Sequence, residues 1–197
     1  GDAILLFDGF GGSALDGAWS VAAGASSWVV SGDALSFAAT TSGNILLRSD
    51  LDVTDVTVEA VMVPTGNADL DYYDNPSVNA GLVLRAADLD GALCNLQGSI
   101  DFLGDVSRSL RAARMFDNDA GSAVDYAWLS TALVGNRRRV QASARGQGYT
   151  CEVDTLGVDL GAAGFVDPYE SFTQGTIGLR ANRLAIAVEY LLVYGPR

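Results

Sequence analysis

The sequence predicts an all-β protein, built as two antiparallel sheets packed face to face. Three observations predict it. Apolar residues recur mostly with a period of two along short runs. Glycine-, aspartate- and asparagine-rich turns separate those runs. No long segment holds the period of an amphipathic helix.

Taken in order, the elements bear this out. The chain opens on an apolar run, Ala3 to Phe7, with no basic flank, which argues against a signal peptide. Val56, Val58, Ala60 and Met62 alternate with Thr57, Glu59, Val61 and Val63, and both sets carry apolar members. That strand is expected to be covered on both faces. Ser107 to Met115 reads either as one or two helical turns or as a strand. Val140, Ala142 and Ala144 alternate with Gln141, Ser143 and Arg145, the pattern of a half-exposed strand. Arg137, Arg138 and Arg139 alternate across it and so form no single basic patch. In the last strand Leu184, Ile186, Val188, Tyr190, Leu192 and Tyr194 share one face, with Glu189 on the other. Gly32-Asp33, Asp90-Gly91, Gly135-Asn136 and Gly146-Gln147-Gly148 mark turns, several of them suited to tight hairpins. The pattern yields about eleven to thirteen strands, with Pro64 to Ala80 and Phe116 to Ala127 as long loops. No repeat or linker divides the chain, so one domain over 1–197 is expected.

Composition narrows the chemistry. The 197 residues hold 24 acids, 20 of them Asp, against 12 bases, all Arg. The net charge of -12 argues against nucleic acid, whose phosphates require cations. No apolar stretch is long enough for a membrane-spanning helix. His and Lys are absent. That excludes Ser-His-Asp and Cys-His nucleophile systems, the HExxH zinc site, Schiff-base chemistry and the P-loop lysine. Carboxylate chemistry and oxygen-ligated metals remain. Cys94 and Cys151 are read as buried thiols or as one disulfide; a consecutive meander would place two other strands between them.

The two ends carry a resemblance. Phe7-Asp8-Gly9-Phe10 is followed by Leu15-Asp16-Gly17-Ala18-Trp19 and by Trp28-Val29-Val30-Ser31-Gly32-Asp33-Ala34-Leu35. A Gly81-to-Arg85 strand, a strand from Arg138 to Gly146 and a Val153-Asp154 step come next. Gly175-Thr176-Ile177-Gly178-Leu179-Arg180 and Val188 to Tyr194 close the chain. In order and spacing this resembles the concanavalin A-like lectin/glucanase superfamily, especially its laminin G-like modules. The resemblance spans nearly the whole chain. It implies a jelly-roll sandwich whose first and last strands are neighbours.

The resemblance also implies candidate sites. Sugar-hydrolysing members carry Glu-x-Asp-x-(x)-Glu on one strand; here Glu152-Val153-Asp154 lacks the second Glu, which argues against an enzyme. Many relatives hold a structural Ca²⁺ near the first and last strands, where Asp8 and Glu189 are the candidate ligands. The loop residues Asp69, Asp71, Tyr72, Tyr73, Asp74 and Asn75 combine stacking faces with carboxylates and are candidates for glycan or metal binding. Arg85 and Arg111 are candidates for carboxylated sugars. Asp117-Asn118-Asp119-Ala120-Gly121 reads as a polar turn.

The function expected first is a non-enzymatic glycan-binding or adhesion module, extracellular or on a virus particle, with possible homo-oligomers. A structural part of a larger assembly, such as a phage tail, spike or decoration protein, is the alternative. A diverged glycoside hydrolase or lyase is the third reading.

Overall fold

The computed structural model describes all residues except 1, 25–27, 39–40, 75, 122, 156–159 and 197. Fifteen strands follow in chain order. They are β1 (Asp2–Asp8), β2 (Trp19–Ala23), β3 (Trp28–Val30), β4 (Leu35–Phe37) and β5 (Asn44–Arg48). Then come β6 (Val56–Asn67), β7 (Ser77–Ala87), β8 (Asp90–Ile100), β9 (Val106–Met115) and β10 (Ala123–Trp128). The last are β11 (Arg138–Arg145), β12 (Gly148–Asp154), β13 (Leu160–Val166), β14 (Thr176–Asn182) and β15 (Leu184–Pro196). No helix forms among the described residues.

One sheet has eight strands in the order β13-β12-β11-β6-β15-β4-β3, with β1 also on β15. The other has seven, in the order β10-β9-β8-β7-β14-β5-β2. Every pairing is antiparallel. The first and last strands pair, Asp2 opposite Pro196 through to Asp8 opposite Leu191, as the resemblance implies. Strands β1 and β4 share one edge of β15 in tandem. The Gly32-Asp33 turn joins β3 to β4: both residues have positive φ (62° and 59°), and Ser31 N–H donates to Ala34 O at 2.9 Å. That geometry matches the right-handed twist of a tight hairpin.

The core lies between the sheets. Leu46, Leu179, Leu82, Cys94 and Ala112 line it from the seven-stranded side, and Val58, Ala60, Val140, Ala142 and Val193 from the other. These residues recur every second position, so the next residue along each strand faces outward.

One open reading is settled and three sequence expectations change. Ser107 to Met115 is strand throughout, within β9. The supposed loop over Pro64 to Ala80 is shorter than expected, because β6 runs on to Asn67 and β7 starts at Ser77, which leaves 68–76 between them. Likewise β10 occupies the end of the supposed loop over Phe116 to Ala127. The last strand keeps no single face: its register shifts between Val188 and Tyr190, where Glu189 is the extra residue. A bulge of one residue swaps faces. Val188 is therefore buried before it, Leu191 and Val193 after it, while Tyr190, Leu192 and Tyr194 turn outward. The two thiols are free and buried. They stand in opposite sheets: Cys94 Sγ reaches Gln141 O at 3.8 Å, and Cys151 Sγ reaches Arg111 O at 3.7 Å.

Candidate functional site

The outer face of the seven-stranded sheet is built from three successive cross-strand rows. Arg180, Gly81, Asn95, Arg111 and Tyr126 are register partners across β14, β7, β8, β9 and β10. Two positions along, Asn182, Asn79, Gln97, Ser109 and Trp128 form the second row. Ser77, Ser99 and Ser107 form the third. Nearly every side chain in these rows carries a hydrogen-bonding group, on a sheet whose other face is mainly apolar core. In the opposite direction the face turns apolar, with Leu47, Val83, Leu93, Ala113 and Met115 packed together. There the 116–121 loop folds over the sheet: Ala120 joins that cluster, and Asn118 donates to Gly43 O at 2.7 Å.

Asn79, Asn95, Gln97, Ser109 and Arg180 are all buried. Burying such groups is costly unless each is bonded. Arg180 is held by neutral acceptors, donating to Asn118 Oδ1 (3.0 Å), Asn79 Oδ1 (2.5 Å) and Asn118 O (2.9 Å). Arg111 donates to Gln97 Oε1 and, at 3.4 Å, to Gly121 O. Among the described residues no carboxylate stands within ion-pair distance of either guanidinium. Burial pulls Arg180 down to about 10, with Asp119 opposing and the charge of Arg111 adding to the fall. Burial lowers Arg111 as well. Asn95 lies between them in the row, fully buried, and neither its Nδ2 nor its Oδ1 has a partner. Gly81 makes room for it: a Cβ there would stand 2.0 Å from Cys94 O and 2.5 Å from Asn95 Cα.

At the edge of this face, β10 presents Tyr126 and Trp128. They are 52% and 64% exposed, with ring centroids 4.8 Å apart at 67°. Exposed rings beside a bank of amides, hydroxyls and guanidiniums suit a ligand with apolar faces and many hydroxyls, since ring faces stack while polar side chains fix orientation.

The outer face of the eight-stranded sheet is different. A groove of about 310 Å³ runs along it, lined by Arg139, Gln141, Glu152, Asp154 and Leu160. The guanidiniums on this face are matched. Arg139 meets Glu59 (3.8 Å) and Asp154 (3.6 Å), and Arg145 meets Asp2 (2.6 Å). Tyr190 Oη donates to Glu59 at 2.7 Å, and Gln141 donates to Tyr194 Oη. Burial and then the Glu59 contact push the Tyr190 phenol up to about 12. Glu152 and Asp154 face outward here, and Glu59 stands in the same cross-strand row as Glu152, with Gln141 between them.

The residues singled out from sequence fall in five places. Arg111 lies at the centre of the polar face. Arg85 does not join it: with φ of 50° it turns into the end of the sandwich and is 2% exposed. There it donates to Thr54 O, Gly146 O (2.7 Å), Tyr149 Oη (3.0 Å), Phe172 O (3.1 Å) and Asp55 (3.2 Å), which leaves its fork engaged in tying loops together. Tyr72 and Tyr73 stand at a loop tip, edge to face at 5.2 Å, where the β8–β9 hairpin brings Phe102 within 6.5 Å of Tyr72. In that loop Asp71 Oδ1 accepts the N–H groups of Tyr73 (2.9 Å) and Asp74 (3.0 Å), and Asp74 O accepts from Arg183 (3.2 Å). Asp69 precedes this turn, and Asn75 lies outside the described residues.

Asp8 and Glu189 stand on the paired strands β1 and β15 but take separate partners. Asp8 accepts from Phe10 N–H and Trp19 Nε1–H, both at 2.9 Å, and lies 3.6 Å from Arg48. Glu189 takes a two-pronged contact from Arg137 at 2.7 to 2.9 Å, which lowers its carboxyl. Carboxylates already facing N–H donors and guanidiniums do not fit a calcium shell, which needs six to eight oxygens. No group of three or more Asp, Glu, Cys or His suited to a metal occurs among the described residues.

Sequence reasoning missed Asn79, Asn95, Gln97, Tyr126 and Arg180. Their only signal is small polar residues at every second position of four strands, and it becomes visible once the strand order is known.

No protein-family model and no curated protein matches the chain. Solved structures do. A carbohydrate-binding module, CBM66, from Bacillus subtilis superposes with a TM-score of 0.61 at 18% identity, over 87% of this chain and 91% of that one. Peanut lectin gives 0.63 at 8% identity, over 98% and 97%. The CBM2 module of the evolved Dit protein of Lactobacillus casei BL23 phage J-1 gives 0.57 at 8%, over 98% and 95%. The fold is therefore that of the concanavalin A-like jelly-roll sandwiches, two antiparallel sheets with no barrel closure.

Proposed function

We propose that this protein is a non-catalytic glycan-binding module and that it binds through the outer face of the seven-stranded sheet. One observation carries the reading: buried hydrogen-bonding side chains are concentrated on that face, beside the exposed pair Tyr126 and Trp128. A solvent-facing sheet that served stability alone would not bury Asn95 with both amide atoms unpartnered. The likeness to a carbohydrate-binding module and a lectin supports it. Such a module acts outside the cell or on a particle surface, where glycans are met.

A glycan array followed by calorimetry tests the proposal. Trp128→Ala should weaken the best ligand about tenfold, or ~1.4 kcal/mol, and Arg139→Gln on the opposite sheet should leave it unchanged. Failure to bind any glycan would end this reading.

A second reading rests on the loop tip. Tyr73, Phe102 and Leu103 are 88%, 73% and 71% exposed, an apolar cluster suited to docking on a partner protein in a larger assembly such as a phage tail or spike. The likeness to a phage module favours it. Recovery of the protein from its source as a strictly monomeric, partner-free species would count against it.

A further inference from the structure

The glycan face carries a charge that no neutral sugar explains. The chain has twice as many acids as bases, yet among the described residues Arg111 and Arg180 meet no carboxylate. Elsewhere Arg48, Arg85, Arg114, Arg137, Arg139 and Arg145 each do, and Arg108, like the pair on this face, meets none among those residues. Acids were available in excess, so two unmatched guanidiniums on one face are a specific feature. Their cost is real, because a buried cation without an anion loses hydration and gains no ion pair.

Asn95 adds the second observation. It is fully buried in the row between the two arginines, with one donor and one acceptor both unpartnered. An amide in this state matches a ligand that presents an acceptor and a donor side by side. Arg111 spends its N–H groups on the neutral oxygens of Gln97 and Gly121, which a carboxylate would displace as the stronger acceptor. The planar guanidinium fork suits a carboxylate.

Resting on the glycan-binding reading of this same face, we propose that Arg111, Asn95 and Arg180 form a subsite for a uronic acid residue. The sugar carboxylate accepts from Arg111, and as Arg111 leaves Gln97 and Gly121 for it, Asn95 Nδ2, closed off in the free protein, donates to the same carboxylate. A neighbouring sugar hydroxyl donates to Asn95 Oδ1. Arg180 lies deeper, fixed by Asn79 and Asn118, and supplies positive potential rather than direct contact. Asp119 is the acid whose charge is felt at Arg180, and bonding in the subsite must outweigh it. The protein's overall negative charge repels a polyanion at long range, but at physiological salt that repulsion is screened beyond about 8 Å. Uronate binding should therefore strengthen, or at least hold, as salt rises from very low values. That is the reverse of a simple basic patch.

The test is titration calorimetry on the full chain with trimers of galacturonate, of mannuronate, and of galacturonate whose carboxyls are methyl esters, alongside the neutral glycan that scores best on an array. At least one free uronate trimer should bind tenfold or more tighter than the esterified trimer. Arg111→Gln should erase that preference, with an unchanged circular-dichroism spectrum and urea midpoint showing that the variant folds, while Arg139→Gln on the opposite sheet should keep the preference intact. Arg111→Lys, which keeps the charge and loses the fork, should restore only part of it. Equal binding of esterified and free trimers, or binding of neutral glycan alone, overturns the uronate subsite and leaves the glycan reading standing. No binding of any sugar overturns both.

Discussion

The two outer faces of this sandwich use the same residue types in opposite ways. On the eight-stranded face each guanidinium is matched: Arg139 meets Glu59 and Asp154, Arg137 meets Glu189, and Arg145 meets Asp2. On the seven-stranded face Arg111 and Arg180 donate only to amide and carbonyl oxygens, and Asn95 has no hydrogen-bond partner. The first face is finished as it stands. The second is complete only when something else supplies the missing partners. A groove of about 310 Å³ lies on the finished face, so the larger concavity and the unsatisfied chemistry do not coincide. The chemistry is the better guide here, because exposed ion pairs contribute little, whereas a buried unpaired group is expensive to keep.

Removing a satisfied guanidinium should hurt most. Arg85→Met strands the carbonyls of Gly146 and Phe172 and should destabilise by about 3 kcal/mol in urea unfolding, leaving glycan affinity under native conditions unchanged. Removing an unsatisfied group should have the opposite sign. Asn95→Leu, which keeps the branched shape, should stabilise by about 1 kcal/mol while weakening ligand binding. A loss of stability from Asn95→Leu would mean the amide is already partnered, and the contrast between the faces would collapse.

The Tyr190 phenol gives a smaller, pH-dependent effect. Its folded value, about 12, lies above the ordinary value of 10. The folded state therefore holds its proton longer than the unfolded state. The stability it contributes is fully present below pH 10 and is lost as pH rises through 12. Thermal melts between pH 9 and 12 should show a steeper fall for the native chain than for Tyr190→Phe. Matching curves would remove the Tyr190–Glu59 contact from the account. The smallest expected effect is none at all: EDTA should leave the melting temperature unchanged, because Asp8 and Glu189 are committed to Trp19, Arg48 and Arg137. A drop on chelation would reinstate a structural calcium.

The frame of the molecule was legible from its ends, because the opening Phe7-Asp8-Gly9-Phe10 and the closing alternation around Val188 to Tyr194 are local patterns. Arg138 was legible as well: alternation alone separates it, fully buried, from exposed Arg137 and Arg139. The bulge at Glu189 was not, since a one-residue insertion leaves composition intact and reverses every later side chain. The polar face was hidden for a topological reason. Asn79, Asn95, Ser109 and Arg180 lie far apart in sequence and become neighbours only through strand order, and reading Pro64 to Ala80 as a loop removed Ser77 and Asn79 from consideration. Cys94 and Cys151 show the same limit. Strand order within a meander placed other strands between them, while the packing of two sheets brings each to a backbone carbonyl of the opposite sheet.

The most direct test is backbone amide and arginine Nε chemical-shift mapping during titration with the best-binding glycan. The account predicts that the largest shifts fall on Asn95, Gln97, Arg111, Tyr126, Trp128 and Arg180. Shifts centred instead on Glu59, Arg139, Gln141 and Glu152, or on Tyr72 to Asp74, would contradict it.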